Sequence, residues 1–241
     1  MAKITREKFK TQDDVFDRFT QDTIRKLIGQ NQFEEDSFSP LFIGKESNVF
    51  KAQSKHGPVI VKIYRLQTAD FNKMYSYIKN DPRYTKLRKQ RRNVVFAWCQ
   101  REYRNLFTAR EAGVRVPLPY AFVNNVLVME FIGNESVALK VKDDYPKNPR
   151  EFMDECIDNM AKLIKGGLAH GDLSPFNILN WNQKPIFIDF SQSMPVKAMG
   201  AEELVTRDVK NVLDFFKKRG QKVDIEKTTA KMLAILESAR G

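Results

Sequence analysis

The feature that most constrains this chain is His170-Gly171-Asp172-Leu173-Ser174-Pro175-Phe176-Asn177-Ile178-Leu179, followed by Ile188-Asp189-Phe190. The first stretch reads as a loop carrying one carboxylate and one amide, running into a short apolar strand. A second carboxylate then stands at the end of another apolar run. Asp172 is placed to take or orient a proton. Asn177 and Asp189 offer oxygen ligands suited to Mg²⁺, a hard cation that binds through one or two carboxylates plus phosphate oxygens. A single Asp before a turn is ordinarily a cap or a solvated loop residue. The full pattern, H-x-D-L-x-x-x-N, a strand and then I-D-F, is much rarer by chance. It requires the N-terminal half of the chain to supply a nucleotide site.

At 241 residues the chain has room for one large domain or two small lobes, and its 42% hydrophobic content is enough for a core. The net charge of +11 and pI near 9.6 suggest an anionic partner. Cys99 and Cys156 are the two cysteines, so no disulfide framework is expected, and with only His56 and His170 a Cys/His zinc site is improbable. The N-terminus has charge but no apolar h-region, and no run is long enough to span a bilayer. The expected setting is a reduced cytoplasmic compartment without membrane contact.

Residues 1–12 are polar and basic and are expected to fray. Apolar spacing from Val15 to Ile28 predicts one or two short amphipathic helices. Residues 38–52 read as strand–turn–strand around Gly44-Lys45-Glu46-Ser47. Measured against the kinase loop G-x-G-x-x-G-x-V, only the middle glycine, Gly44, is kept, with Phe42 and Ser47 at the flanking glycine positions. Val59-Ile60-Val61-Lys62 is a β-branched strand ending in lysine, the form of the V-A-I-K strand, which places Lys62 on nucleotide phosphates. Its plainer role is a lysine snorkelling from a strand end. Residues 66–92 end in Arg83, Lys86, Arg88, Lys89, Arg91 and Arg92. Such a run is most often a solvated, mobile face, and 83–92 is equally a candidate RNA contact.

The clearest helix covers 93–112, with Gly113 as its stop, and carries Glu102, the carboxylate expected to pair with Lys62. Strands follow at 121–123 and 126–130, and Phe131-Ile132-Gly133 reads as a hinge whose backbone meets an adenine ring. Helices are predicted at 151–165, 201–218 and 224–238, and strands at 178–181 and 185–189, joined by a turn at Asn182-Gln183. Asp208 is expected to anchor the Asp172 loop through its backbone.

The sequence resembles the RIO family of atypical protein kinases, in its first subgroup. The resemblance rests on Gly44 to Phe50, Val61-Lys62-Ile63-Tyr64-Arg65, Glu102 to Leu106, Met129 to Gly133, His170 to Asn177, Ile188 to Gln192 and Arg207-Asp208-Val209, with Val15 to Thr20 also similar. It spans about residues 15 to 220; the second subgroup's winged-helix domain has no room here. The resemblance implies an α+β, two-lobed protein-kinase-like fold binding ATP and Mg²⁺. The N-lobe would be an antiparallel sheet with one main helix, and the helical C-lobe would be reduced, lacking an activation loop and a peptide-docking subdomain. Residues 1–37 would form a helical extension packed on the kinase domain, 38–130 the N-lobe, 131–134 the hinge and 135–241 the C-lobe. Gly44, Lys45, Glu46, Ser47, Lys62 and Glu102 would serve the nucleotide, Glu130 and Ile132 its adenine, Asp172 catalysis, and Asn177 and Asp189 the metal. Family members take part in maturation of the small ribosomal subunit, so rRNA and protein of that particle are expected partners. Some act more as ATPases than as protein kinases, with the metal-binding aspartate transiently phosphorylated, a role that would fall on Asp189. Members also autophosphorylate on serine.

Only 52 residues follow Asp189 and no A-P-E sequence appears. This favours an ATP-driven switch on a large partner over a signalling kinase. Two other readings stay open. One is a small-molecule phosphotransferase of the aminoglycoside or choline kinase type, which shares HGDL-x-x-x-NIL and I-D-F. The other is a ribosome-assembly module that binds RNA and protein with weak turnover.

Overall fold

The structure is a computed structural model that describes residues 16–67 and 70–241. The expectations for residues 1–12 and for Val15 lie outside the described residues. The chain divides into two compact units. The first comprises residues up to Ile78, Lys86–Gln100 and Pro119–Phe131; the second comprises Lys79–Thr85, Arg101–Leu118 and Ile132–Gly241.

The first unit is framed by β1 (Ser39–Ile43), β2 (Ser47–Ser54), β3 (Gly57–Tyr64), β4 (Pro119–Val123) and β5 (Val126–Glu130). They form one antiparallel sheet in the order β1-β2-β3-β5-β4. Strand alternation sorts β3 between two faces. Val59, Val61 and Ile63 join Phe50, Ala52, Val126 and Val128 in one apolar cluster, covered by α1 (Arg18–Gly29) through Leu27 and by Phe33 and Phe38. Ile60, Lys62 and Tyr64 therefore take the opposite face. Helix α1 starts where Asp17 accepts the backbone N–H and the hydroxyl of Thr20, at 3.1 and 3.0 Å.

Residues 66–92 are not a mobile face throughout. Helix α2 (Phe71–Ile78) begins where Asp70 accepts the Lys73 N–H and buries Met74 and Ile78, one helical turn apart. A 3₁₀ turn follows at Pro82–Tyr84, capped by Asp81. Helix α3 (Arg91–Glu111) starts slightly before its predicted position and gives its first half to the first unit and its second half to the second.

The second unit contains α4 (Pro149–Lys165), the short strands β6 (Leu168–Ala169) and β9 (Met194–Pro195), the hairpin of β7 (Ile178–Trp181) and β8 (Lys184–Phe187), α5 (Ala201–Lys217) and α6 (Ile225–Arg240). Asn182 and Gln183 turn the hairpin with left-handed φ of 52° and 63°, matching the right-handed twist of its strands. Helix α4 buries Phe152, Met153, Cys156, Met160, Leu163 and Ile164 along one stripe, and α6 packs on both α4 and α5. Strand β8 ends at Phe187, short of the expected Asp189, because Asp189 takes a left-handed backbone and opens a 3₁₀ turn instead. Residues 190–200 then lead directly into α5, with no long activation loop among the described residues. No described helix is long and apolar enough to cross a membrane.

Candidate active site

In the first unit, Gly44, Lys45 and Glu46 form the turn between β1 and β2, and Ser47 opens β2. The Gly44 N–H donates to the Ser47 carbonyl at 3.0 Å, so it closes the hairpin and is not left to meet a ligand. A Cβ at Gly44 would lie 2.8 Å from the Phe42 ring and 2.9 Å from the Ser47 carbonyl oxygen. Glycine is required there by close approach. Arg65 braces the turn, donating through Nη1 to the Gly44 carbonyl at 3.2 Å and through its backbone N–H to the Glu46 carbonyl at 3.0 Å. Lys62 sits mid-sheet, in register with Val49 and Leu127, and is only 5% exposed. Its ammonium lies 5.1 Å from the centroid of the Tyr64 ring. Glu130 ends β5 opposite Val59.

In the second unit, Ile132 is buried and its carbonyl accepts the Ala138 N–H at 2.8 Å. Glu102 is buried on α3. The remaining expected residues are brought together by the loop from His170 to Asn177. Asn177 donates its amide Nδ2 to both the Asp172 carbonyl and the Asp172 carboxylate, at 2.9 and 3.2 Å. Its other amide atom, Oδ1, is thereby turned away from Asp172 and can face a cation. His170 accepts the Asp172 N–H on Nδ1 at 3.3 Å, which fixes the neutral tautomer and lets Nε2 donate to the Ile188 carbonyl at 3.1 Å. One imidazole so ties the Asp172 loop to the residue before Asp189.

Asp189 has φ 64° and ψ 69°, a conformation that costs an L residue roughly 1–2 kcal/mol. Its Oδ1 accepts the Ser191 hydroxyl at 2.7 Å. Asp208, on α5, accepts the Gly171 and Leu173 N–H groups at 2.7 and 2.8 Å, the anchoring expected of it. Burial pushes its carboxyl up to about 7, against the pull of those two N–H groups and of Arg207, which donates to the Gly171 carbonyl.

The donor chemistry fits Mg²⁺ with a nucleotide. Among the described residues no cluster of three or more His, Cys, Asp or Glu could hold a metal unaided. An amide oxygen and one carboxylate, completed by phosphate oxygens, is the kind of set Mg²⁺ takes.

The sequence pattern did not disclose a buried polar network beside Asp189. Arg101 and Asn105, on α3, donate to the carbonyls of Phe190, Gln192 and Ser193, while Asp81 and Arg83 hold them from the other side. Two signals bore on it: Asp81-Pro82 is a turn initiator, and Asn105 follows Glu102 by one helical turn.

An antiparallel sheet unit, a helical unit and a loop joining a carboxylate, an amide and a second carboxylate define a protein-kinase-like fold. The RIO domain family model matches residues 48–229, and the chain belongs to the RIO family of serine/threonine kinases. It is 38% identical to the RIO-type serine/threonine-protein kinase Rio1 of Haloferax volcanii, covering 90% of this chain and 76% of that protein. Against Rio1 of Methanocaldococcus jannaschii it is 37% identical, covering 88% and 73%. Against Rio1 of Thermoplasma acidophilum it is 36% identical, covering 74% and 95%. The fold matches the Rio2 kinase–ADP/Mg²⁺–phosphoaspartate complex of Chaetomium thermophilum with a TM-score of 0.65 at 21% identity, over 90% of this chain and 73% of that one.

Proposed function

We propose that this kinase binds ATP with Mg²⁺ and passes the γ-phosphoryl group to Asp189 and then to water, with slower transfer to one of its own serines. We further propose that the cycle operates on the maturing small ribosomal subunit. The observation that carries the reading is the Asp172–Asn177 pair: one amide pins the proton-handling carboxylate and turns its oxygen outward to a cation. The Rio2 complex contains ADP, Mg²⁺ and a phosphoaspartate, and the same chemistry is assigned here to Asp189.

In this reading the Gly44–Ser47 turn and Lys62 engage phosphate oxygens, and the Glu130 carbonyl and Ile132 N–H meet the adenine edge. The Ile132 carbonyl is already engaged by Ala138. Asn177 and Asp189 would hold the metal, which would supply positive charge against the phosphate oxygens. An Asp189 oxygen attacks the γ-phosphorus, the bond to the β–γ bridging oxygen breaks, and ADP leaves. Water oriented by Asp172 then attacks the acyl phosphate. The phosphorus–carboxylate bond breaks, the proton passes to Asp172, and phosphate departs. Most of the rate enhancement comes from positioning and electrostatics.

The test is incubation of the purified chain with γ-labelled ATP and Mg²⁺, alone and with pre-ribosomal particles, following free phosphate and labelled protein separately. Particle-stimulated phosphate release is expected, with a hydroxylamine-labile label lost in Asp189→Ala. Asp172→Ala should abolish turnover with nucleotide binding kept, and Lys62→Ala should weaken both. Rapid transfer to an added protein, with only a stable serine label on the chain, would sink the switch reading.

A further inference from the structure

Asp189 adopts a backbone conformation that an L residue keeps only where its surroundings impose it. The residues that follow show what imposes it. Asn105 donates its amide Nδ2 to the carbonyls of Phe190 and Ser193, both at 2.9 Å. Arg101 donates Nη2 to the Gln192 carbonyl at 3.2 Å and Nε to the Ser193 carbonyl at 3.0 Å. Both donors are fully buried, as is Ser193, whose hydroxyl returns to the His170 carbonyl at 2.7 Å.

Asn105 and Arg101 are themselves oriented. Arg83 donates Nη1 to Asn105 Oδ1 at 2.9 Å, which fixes the amide so that Nδ2 faces the two carbonyls. The Asp81 carboxylate, fully buried, accepts Arg83 Nε at 2.9 Å and Nη2 at 2.6 Å, and lies 3.2 Å from Arg101 Nε. Two arms thus run from Asp81 to the segment behind Asp189, one through Arg83 and Asn105, the other through Arg101. A buried set linked by this many hydrogen bonds holds one geometry, because each member left alone would be a desolvated polar group.

We propose that Asp81, Arg83, Arg101 and Asn105 are positioning residues for metal binding: by holding the carbonyls of residues 190, 192 and 193 they aim the Asp189 carboxylate. The proposal rests on Asp189 as a metal ligand. Groups that orient a ligand from behind change metal affinity about tenfold to a hundredfold when removed.

The experiment titrates Mn²⁺ into the 241-residue chain with saturating ADP, read by electron paramagnetic resonance. ADP affinity in EDTA and the thermal midpoint are measured alongside. Asp81→Ala would strand the buried Arg101 guanidinium, so the informative variants are Asn105→Ala and Arg83→Ala, the latter at a partly exposed side chain whose loss still leaves Asp81 beside Arg101. Both are expected to weaken Mn²⁺ about tenfold with metal-free ADP affinity unchanged. Asn125→Ala removes a buried amide of the first unit that bonds Thr20 and Tyr64. It should lower the midpoint and leave Mn²⁺ affinity alone. Asp189→Asn separates the two claims. If it leaves Mn²⁺ affinity unchanged, the ligand reading falls and the proposal with it. If it weakens Mn²⁺ while Asn105→Ala and Arg83→Ala do not, the positioning proposal alone is overturned.

Discussion

Asp208 sets two opposing effects against each other at one carboxyl. Two short N–H bonds and the Arg207 guanidinium favour the carboxylate, and burial favours the acid. Burial wins, lifting the group from 3.8 to about 7. Between those values the folded chain holds a proton that the unfolded chain has released. The associated stability is therefore present below about pH 4 and is lost as pH rises through about 7, with a slope of at most ~1.4 kcal/mol per pH unit. Asp208→Asn removes the titration while keeping one acceptor. Urea unfolding at pH 5 and pH 8 should show a smaller stability difference in Asp208→Asn than in the parent chain. An equal difference in both would place the titration elsewhere.

At the scale of elements, the loop carrying Asp172 is set by contacts that glycine makes possible. Gly171 has φ 79°, and a Cβ there would lie 2.9 Å from the Gln192 carbonyl oxygen. Gly113, after α3, has φ 76° with nothing within 4 Å of the added carbon. Gly113→Ala should cost only the left-handed penalty, about 1 kcal/mol, and Gly171→Ala clearly more, up to about 3 kcal/mol. Thermal midpoints of the two variants decide it; similar losses would show that the Gln192 carbonyl yields. The same contrast explains what could be read in advance. The Asp172 loop, the β3 lysine, the Asn182-Gln183 turn and the amphipathic helices α4, α5 and α6 all rest on local patterns: turn residues, β-branched runs and helical spacing. Helix α2 went unread because its polar and aromatic residues put only Met74 and Ile78 inward. The Asp81–Arg101–Ser193 linkage went unread because its members lie far apart in sequence, and charged residues ordinarily signal a surface. The left-handed turn at Asp189 is likewise imposed by those distant donors, where local pattern pointed to continued strand.

For the molecule as a whole, the net charge of +11 makes attraction to RNA expected in general, so the question is whether one segment makes the contact. Arg83 is no clean probe of that contact: it bonds Asp81 and Asn105, and reversing it would damage the Asp189 segment whether or not RNA binds. Of the other five, Arg91 donates to the Gln67 carbonyl and Arg92 lies 5.0 Å from the Phe19 ring centroid, whereas Lys86, Arg88 and Lys89 are exposed on the segment before α3, with Lys89 5.2 Å from the Tyr75 ring centroid. Stacked next to an aromatic ring, such a cation suits a single-stranded backbone with its bases within reach. Changing Lys86, Arg88 and Lys89 together to Glu should weaken binding to single-stranded RNA and flatten its salt dependence by about 0.7 for each phosphate no longer neutralised. The control reverses three exposed lysines on or just after α5, Lys210, Lys217 and Lys218, which alters net charge equally. A greater flattening in the 86–89 variant locates the contact. Equal flattening would mean that the whole charge of the protein attracts RNA and that the segment before α3 makes no particular contact.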